Sequence, residues 1–169
     1  SSYTQAYVFT NESDTDFVLK ENQLWAQKIS DKWKNISETE PFKISPVIAG
    51  KHTQSEIQKD ILDKSQYHKN VIIGQCQMAT QQDLETALSV ARNDPDGWSV
   101  LTHDERTTIL MNVAYQFQKN RADLIGVAAA EVGKVFSETD VEVSEAIDFL
   151  NFYPYSVKML GNLHGITLK

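Results

Sequence analysis

A helix-rich α+β fold with few strands is what the sequence predicts, and three observations carry that prediction. Apolar residues recur at helical spacing in four successive stretches after residue 70. Two of those stretches open on a threonine followed three residues later by an acidic residue, the pattern of a reciprocal N-cap. Only two short runs, 42–50 and 71–76, have the β-branched and apolar content of strands.

Before residue 70, short elements alternate with polar connectors. Over 22–34, Leu24, Trp25, Ile29 and Trp33 fall on one side of a helix that Asn22 is placed to cap. Phe42 to Gly50 reads as a strand, and Pro46, which cannot donate to a ladder, confines it to an edge or a strand start. The polar connector that follows includes a helical turn at Ile57 to Leu62, and Val71 to Cys76 reads as a second strand.

Thr80 and Asp83 open the next helix, with Leu84, Ala87, Leu88 and Ala91 at helical spacing, and Asn93-Asp94-Pro95-Asp96-Gly97 ends it. Thr102 and Glu105 open another, with Ile109, Leu110, Val113, Ala114 and Phe117 inward. Trp98, in the turn between them, is expected in the core, and Arg106 is expected to make a structural ion pair or to cap a neighbouring helix end. A helix over Ala122 to Val132 stops at Gly133, which suits a left-handed terminator, and Lys134 falls on the surface. The last helix opens around Ser137-Glu138-Thr139-Asp140 and places Val143, Ile147, Leu150, Pro154 and Val157 on one stripe. Pro154 has no amide hydrogen, so it should kink that helix or divide it near Phe152.

Two regions follow from this reading: 1–70, a lead-in with a helix and the first strand, and 71–169, a strand followed by helices. Four amphipathic helices offer more apolar face than a short strand pair can cover. The partner they require is the rest of a longer protein.

Composition narrows the function classes. A length of 169 residues suits one compact unit or a large piece of one. The net charge of −7, with Lys and Arg scattered, excludes the basic stripe that a nucleic-acid phosphate backbone requires. No apolar run approaches the roughly 18 residues of a membrane span, and Ser1-Ser2-Tyr3-Thr4 does not open a secretion leader, so a cytoplasmic protein is expected. A single cysteine, Cys76, leaves no internal disulfide, and His52, His68, His103 and His164 show none of the close spacings of a metal site.

Five fragments then occur in a telling order: Asp83-Leu84-Glu85-Thr86-Ala87-Leu88-Ser89-Val90-Ala91; Gly97-Trp98; Glu105-Arg106 with Ile109-Leu110; Arg121-Ala122-Asp123-Leu124; and Glu131-Val132-Gly133-Lys134. Their succession resembles the front of the aldehyde dehydrogenase superfamily. Glu142 to Phe149 followed by Phe152-Tyr153 is similar to the long helix of its L-glutamate γ-semialdehyde (1-pyrroline-5-carboxylate) dehydrogenase branch, and Asn11 to Phe17 is similar to the junction after the proline dehydrogenase domain of bifunctional proline utilization A proteins. The resemblance covers nearly the whole chain, most firmly 80–153.

It implies the N-terminal part of an aldehyde dehydrogenase fold, lacking the complete dinucleotide-binding sheet, in a parent that uses NAD. FAD would enter only if a proline dehydrogenase domain preceded it. It also implies that the rest of the dehydrogenase is the main partner, and that the parent is a homo-oligomer. In such a parent a cysteine thiolate attacks the aldehyde, hydride passes to the nicotinamide and a glutamate-activated water releases the acid. The family's Pro-Trp-Asn segment, glycine motif, glutamate base and cysteine nucleophile are not found in this sequence, which stops near where the dinucleotide-binding strand should begin. The chain alone is therefore expected to be inactive, with no catalytic, cofactor or metal residue of its own. Pro154 is a further departure, since alanine is common there in the family.

Gly74-Gln75-Cys76-Gln77 resembles the context of the family's nucleophile, but it precedes every matched helix and ends an apolar strand, which predicts a buried, quiet thiol. Glu138, Glu142 and Glu145 fall on one side of the last helix, opposite its apolar stripe. They form either a solvated face or, as the resemblance implies, the place where a carboxylate approaches the substrate's α-ammonium, with Glu138 the first candidate and Glu142 the second. Phe149, with Phe152 and Tyr153, either lines an aldehyde tunnel or belongs to the core. The rival reading is a free-standing helical interaction or scaffolding module, which the acidic surface permits.

Overall fold

The computed structural model describes residues 8–66 and 69–162, the side chains of 37–39 apart. The expectations placed on 1–4 and on 165–169 lie outside the described residues. Five α-helices and five short strands follow in the order α1 (Lys20–Thr39), β1 (Phe42–Ile44), β2 (Val47–Ile48), β3 (Lys51–His52), β4 (Gln58–Leu62), β5 (Ile72–Gln77), α2 (Gln81–Asn93), α3 (His103–Lys119), α4 (Arg121–Val132) and α5 (Phe136–Gly161).

The helix-rich class holds, but the strand region differs from the prediction. The expected strand over 42–50 is broken at Pro46: β1 joins β5, whereas β2 and β3 form their own hairpin through Ala49 and Gly50, both at positive φ. The stretch predicted as a helical turn at Ile57 to Leu62 is strand β4, antiparallel to β5. Its apolar spacing suits a helical turn, but the hydrogen-bond ladder along β5 outweighs that local preference. The sheet order is β1-β5-β4, so strands from both sides of residue 70 share one sheet.

Local chemistry explains most helix boundaries. Complete capping boxes open α2 (Thr80 with Asp83) and α3 (Thr102 with Glu105), as the spacing predicted. Gly133 ends α4 at φ 79, also as predicted. Helix α1 starts earlier than expected, and Asn22 does not cap it: its side chain donates to the Asp16 carbonyl, and the capping position is held by Leu19 without a side-chain bond. Helix α5 is continuous through Pro154, so the predicted division near Phe152 is absent. Pro154 itself is buried within the continuous helix.

Helix α4 lies at the centre. It gives Ala130 to one core cluster, with Ile29, Trp33 and Ile73, and Ile125 to the other, with Ala114, Val143 and Ile147. The predicted inward residues are only partly inward. Leu24, Ile109 and Val113 are exposed, and α2 buries nothing, with Leu84 53% and Leu88 59% accessible. Trp98 is 44% exposed, so it is not core; its ring instead lies against the Arg106 guanidinium. Arg106 takes the capping alternative and donates to the carbonyls of Trp98 and Ser99. The helices were read correctly as amphipathic, but nothing among the described residues covers the outward half of α2 and α3.

Candidate functional site

Helix α5 carries every candidate site residue. Val143, Ile147 and Pro154 are buried along its inner stripe, as the periodicity predicted. At about 100° per residue, Glu138, Glu142, Phe149 and Tyr153 fall on the opposite side. All four are exposed. The outer face is thus acidic in its first half and aromatic in its second, and Phe149 lies roughly 16 Å from Glu138 along the axis at 1.5 Å per residue.

The two acidic candidates are not equivalent. The Lys134 ammonium donates to the Glu142 carboxylate across the start of the helix. That hydrogen bond is the main reason the Lys134 pKa is raised, with smaller contributions from the charges of Glu142 and Glu138. Glu138 has no ion pair of its own among the described residues. Lys134 therefore does more than follow a helix stop, since it occupies the second candidate and leaves the first open.

The aromatic half is not core. Phe149 is 48% and Tyr153 60% accessible, and their rings stack with centroids 5.8 Å apart. Phe152 meets Tyr153 edge-on and packs against Phe9 at 5.2 Å. Large apolar side chains left this open form a surface that another body is suited to cover.

A buried polar network behind this face was not anticipated. Asp140, 1% exposed, accepts hydrogen bonds from the Thr15 amide (2.6 Å), the Thr15 hydroxyl (2.7 Å) and the Arg121 guanidinium (2.9 Å). Arg121 also donates to the Ser144 hydroxyl and pairs with Glu12. The signal was present in the sequence: Asp140 stands three residues before Val143, on the apolar stripe, where a charge needs a partner.

Cys76 is half-buried rather than buried, and its thiol donates weakly to the Gln77 carbonyl at 3.6 Å. Among the described residues, no imidazole or carboxylate hydrogen-bonds it. An apolar cleft of about 470 Å³ lies between α1, α4 and the sheet, lined by Trp33, Phe42, Ile61, Ile73, Leu124 and Val127, and contains none of the predicted site residues. Among the described residues, no cluster of His, Cys, Asp or Glu is placed to hold a metal ion, and no helix is long and apolar enough to cross a membrane.

A Cβ on Gly126 would meet the Trp33 indole at 2.0 Å, whereas Gly50, Gly97 and Gly133 take positive φ in turns.

The aldehyde dehydrogenase family model matches residues 53–167. The 1-pyrroline-5-carboxylate dehydrogenase of Staphylococcus haemolyticus is 26% identical over 155 residues, covering 91% of this chain and 29% of that protein. The solved structure of proline utilization A (PutA) from Bdellovibrio bacteriovorus, inactivated by N-propargylglycine, superposes with a TM-score of 0.83 at 28% identity over 94% of this chain and 16% of that one. The Thermus 1-pyrroline-5-carboxylate dehydrogenase with bound NAD gives a TM-score of 0.82 at 20% identity, a likeness of fold, over 98% of this chain and 31% of that one. The chain thus spans less than a third of the length of each. Since the family match runs through all of α2 to α5, the helices that build the open face, the chain belongs to the aldehyde dehydrogenase family.

Proposed function

We propose that the protein containing this chain oxidises L-glutamate γ-semialdehyde to glutamate with NAD, and that the chain contributes one wall of the aldehyde site through α5. The observation that carries this reading is the asymmetry on that helix: Glu142 is engaged by Lys134, and Glu138 stands open beside it. A carboxylate in that state suits the α-ammonium of an amino-acid aldehyde, because a charge-assisted hydrogen bond strengthens once the site is closed from water. Phe149 and Tyr153 offer apolar surface further along the same face for the parts of a site that must exclude water.

The relatives' names point to the same substrate class. No reacting group is assigned to the chain. Among the described residues, no imidazole or carboxylate hydrogen-bonds the Cys76 thiol, so the nucleophile and the cofactor contacts are assigned to other parts of the parent protein. The test is a paired assay. The full-length parent should reduce NAD with glutamate semialdehyde, and the 169-residue chain should neither turn over nor bind NAD at micromolar concentration by calorimetry. Turnover by the chain alone, or a parent indifferent to glutamate semialdehyde, would overturn the reading.

A further inference from the structure

We propose that Thr15 is a positioning residue for Glu138, acting through Asp140 from a strap that lies along α5; the inference rests on the role given to Glu138 above. Helix α5 begins without a side-chain cap: Val135 holds the capping position and makes no capping bond. The first amides of a helix have no intrahelical acceptor, and an uncapped first turn frays. Glu138 sits in that turn, so something else must keep it in place.

The strap supplies the restraint. Residues 9–15 run antiparallel to α5: Phe9 packs on Phe152, Asn11 and the Glu12 amide bond Asp148, and Thr15 bonds Asp140. Asp140 receives both the amide and the hydroxyl of Thr15, and Arg121 fixes the same carboxylate from α4 while reaching Glu12 and Ser144. Two residues along a helix turn the direction by about 200°. With Asp140 held inward, Glu138 is held outward on the opposite side, and the turn that carries it cannot roll. The strap thereby sets the direction of the carboxylate without touching the substrate.

The experiment compares Thr15→Val, Thr15→Ser and Glu138→Gln in the full-length parent, on glutamate semialdehyde and on an aldehyde of equal length without the amino group. Thr15→Val removes the hydroxyl bond to Asp140 and keeps the amide bond. It should raise KM for glutamate semialdehyde about three- to tenfold, the effect of one misplaced hydrogen bond, with kcat and the KM of the plain aldehyde unchanged. Amide exchange at Thr139 and Asp140 should quicken, and Thr15→Ser should restore both readouts. Equal loss on both substrates, no change on either, or failure of Thr15→Ser to restore selectivity would overturn the proposal. Glu138→Gln separates the two ideas: selectivity lost there but kept in Thr15→Val removes the positioning role alone, whereas selectivity kept in Glu138→Gln removes the substrate reading and the positioning role with it.

Discussion

Gly126 and Trp33 illustrate what a single residue decides in this fold. A Cβ built on Gly126 would lie 2.0 Å from the indole Cδ1, so α1 and α4 meet only because that position has no side chain. Trp33 is 7% exposed, and its indole N–H is buried without an acceptor among the described residues, so the ring is held by packing alone. Gly126→Ala should destabilise the chain by about 1–3 kcal/mol, the usual cost of overpacking a core, seen as a lower urea midpoint at unchanged slope. An unchanged midpoint would mean that the indole yields freely. This contact joins residues 93 positions apart, and neither helix's periodicity reveals it. The burial of Asp140 was likewise not predicted, although its place on the apolar stripe of α5 carried the signal, since a charge there needs a partner.

At the scale of elements, legibility followed the range of the cause. The boxes Thr80/Asp83 and Thr102/Glu105 and the stop at Gly133 are set by residues within one turn, and all three were read correctly. β4 departs from its helical-turn spacing because its state depends on pairing with β5, and α1 starts before Asn22 because its start leans on the Asp16 region rather than on a cap. The α2–α3 junction makes a prediction of its own. Asp94 accepts from the Ser99 hydroxyl and amide and from the Trp98 amide, which lowers its pKa below 3.8, and the Thr102 amide and hydroxyl lower that of Glu105 below 4.5. Both carboxylates titrate lower when folded. Their contribution is therefore full above those ordinary values and is lost as pH falls through the folded ones. Carbon-detected NMR titration should find both midpoints below the ordinary values, with Trp98 and Ser99 amide shifts moving in step with Asp94. Midpoints at or above 3.8 and 4.5 would contradict the described hydrogen bonds.

Across the whole molecule, Leu84 and Leu88 on α2, Ile109 and Val113 on α3, and Phe149 and Phe152 on α5 are exposed, an apolar surface suited to a covering partner. The sequence foresaw the excess of amphipathic faces but assigned several of these residues inward, since periodicity reports which face is apolar and not what covers it. Purified alone, the chain should bind an apolar dye and self-associate in sedimentation; a strictly monomeric chain without dye binding would favour the interaction-module reading. The central claim, that the open carboxylate on α5 recognises an amino-acid aldehyde, is tested most directly by one measurement on the full-length parent: the ratio of kcat/KM for glutamate semialdehyde to that for an aliphatic aldehyde of equal length, before and after Glu138→Gln. A lost charge-assisted hydrogen bond of roughly 1–3 kcal/mol predicts a fall of about five- to 150-fold in that ratio, with the aliphatic aldehyde spared. An unchanged ratio would return Glu138 to a solvated face.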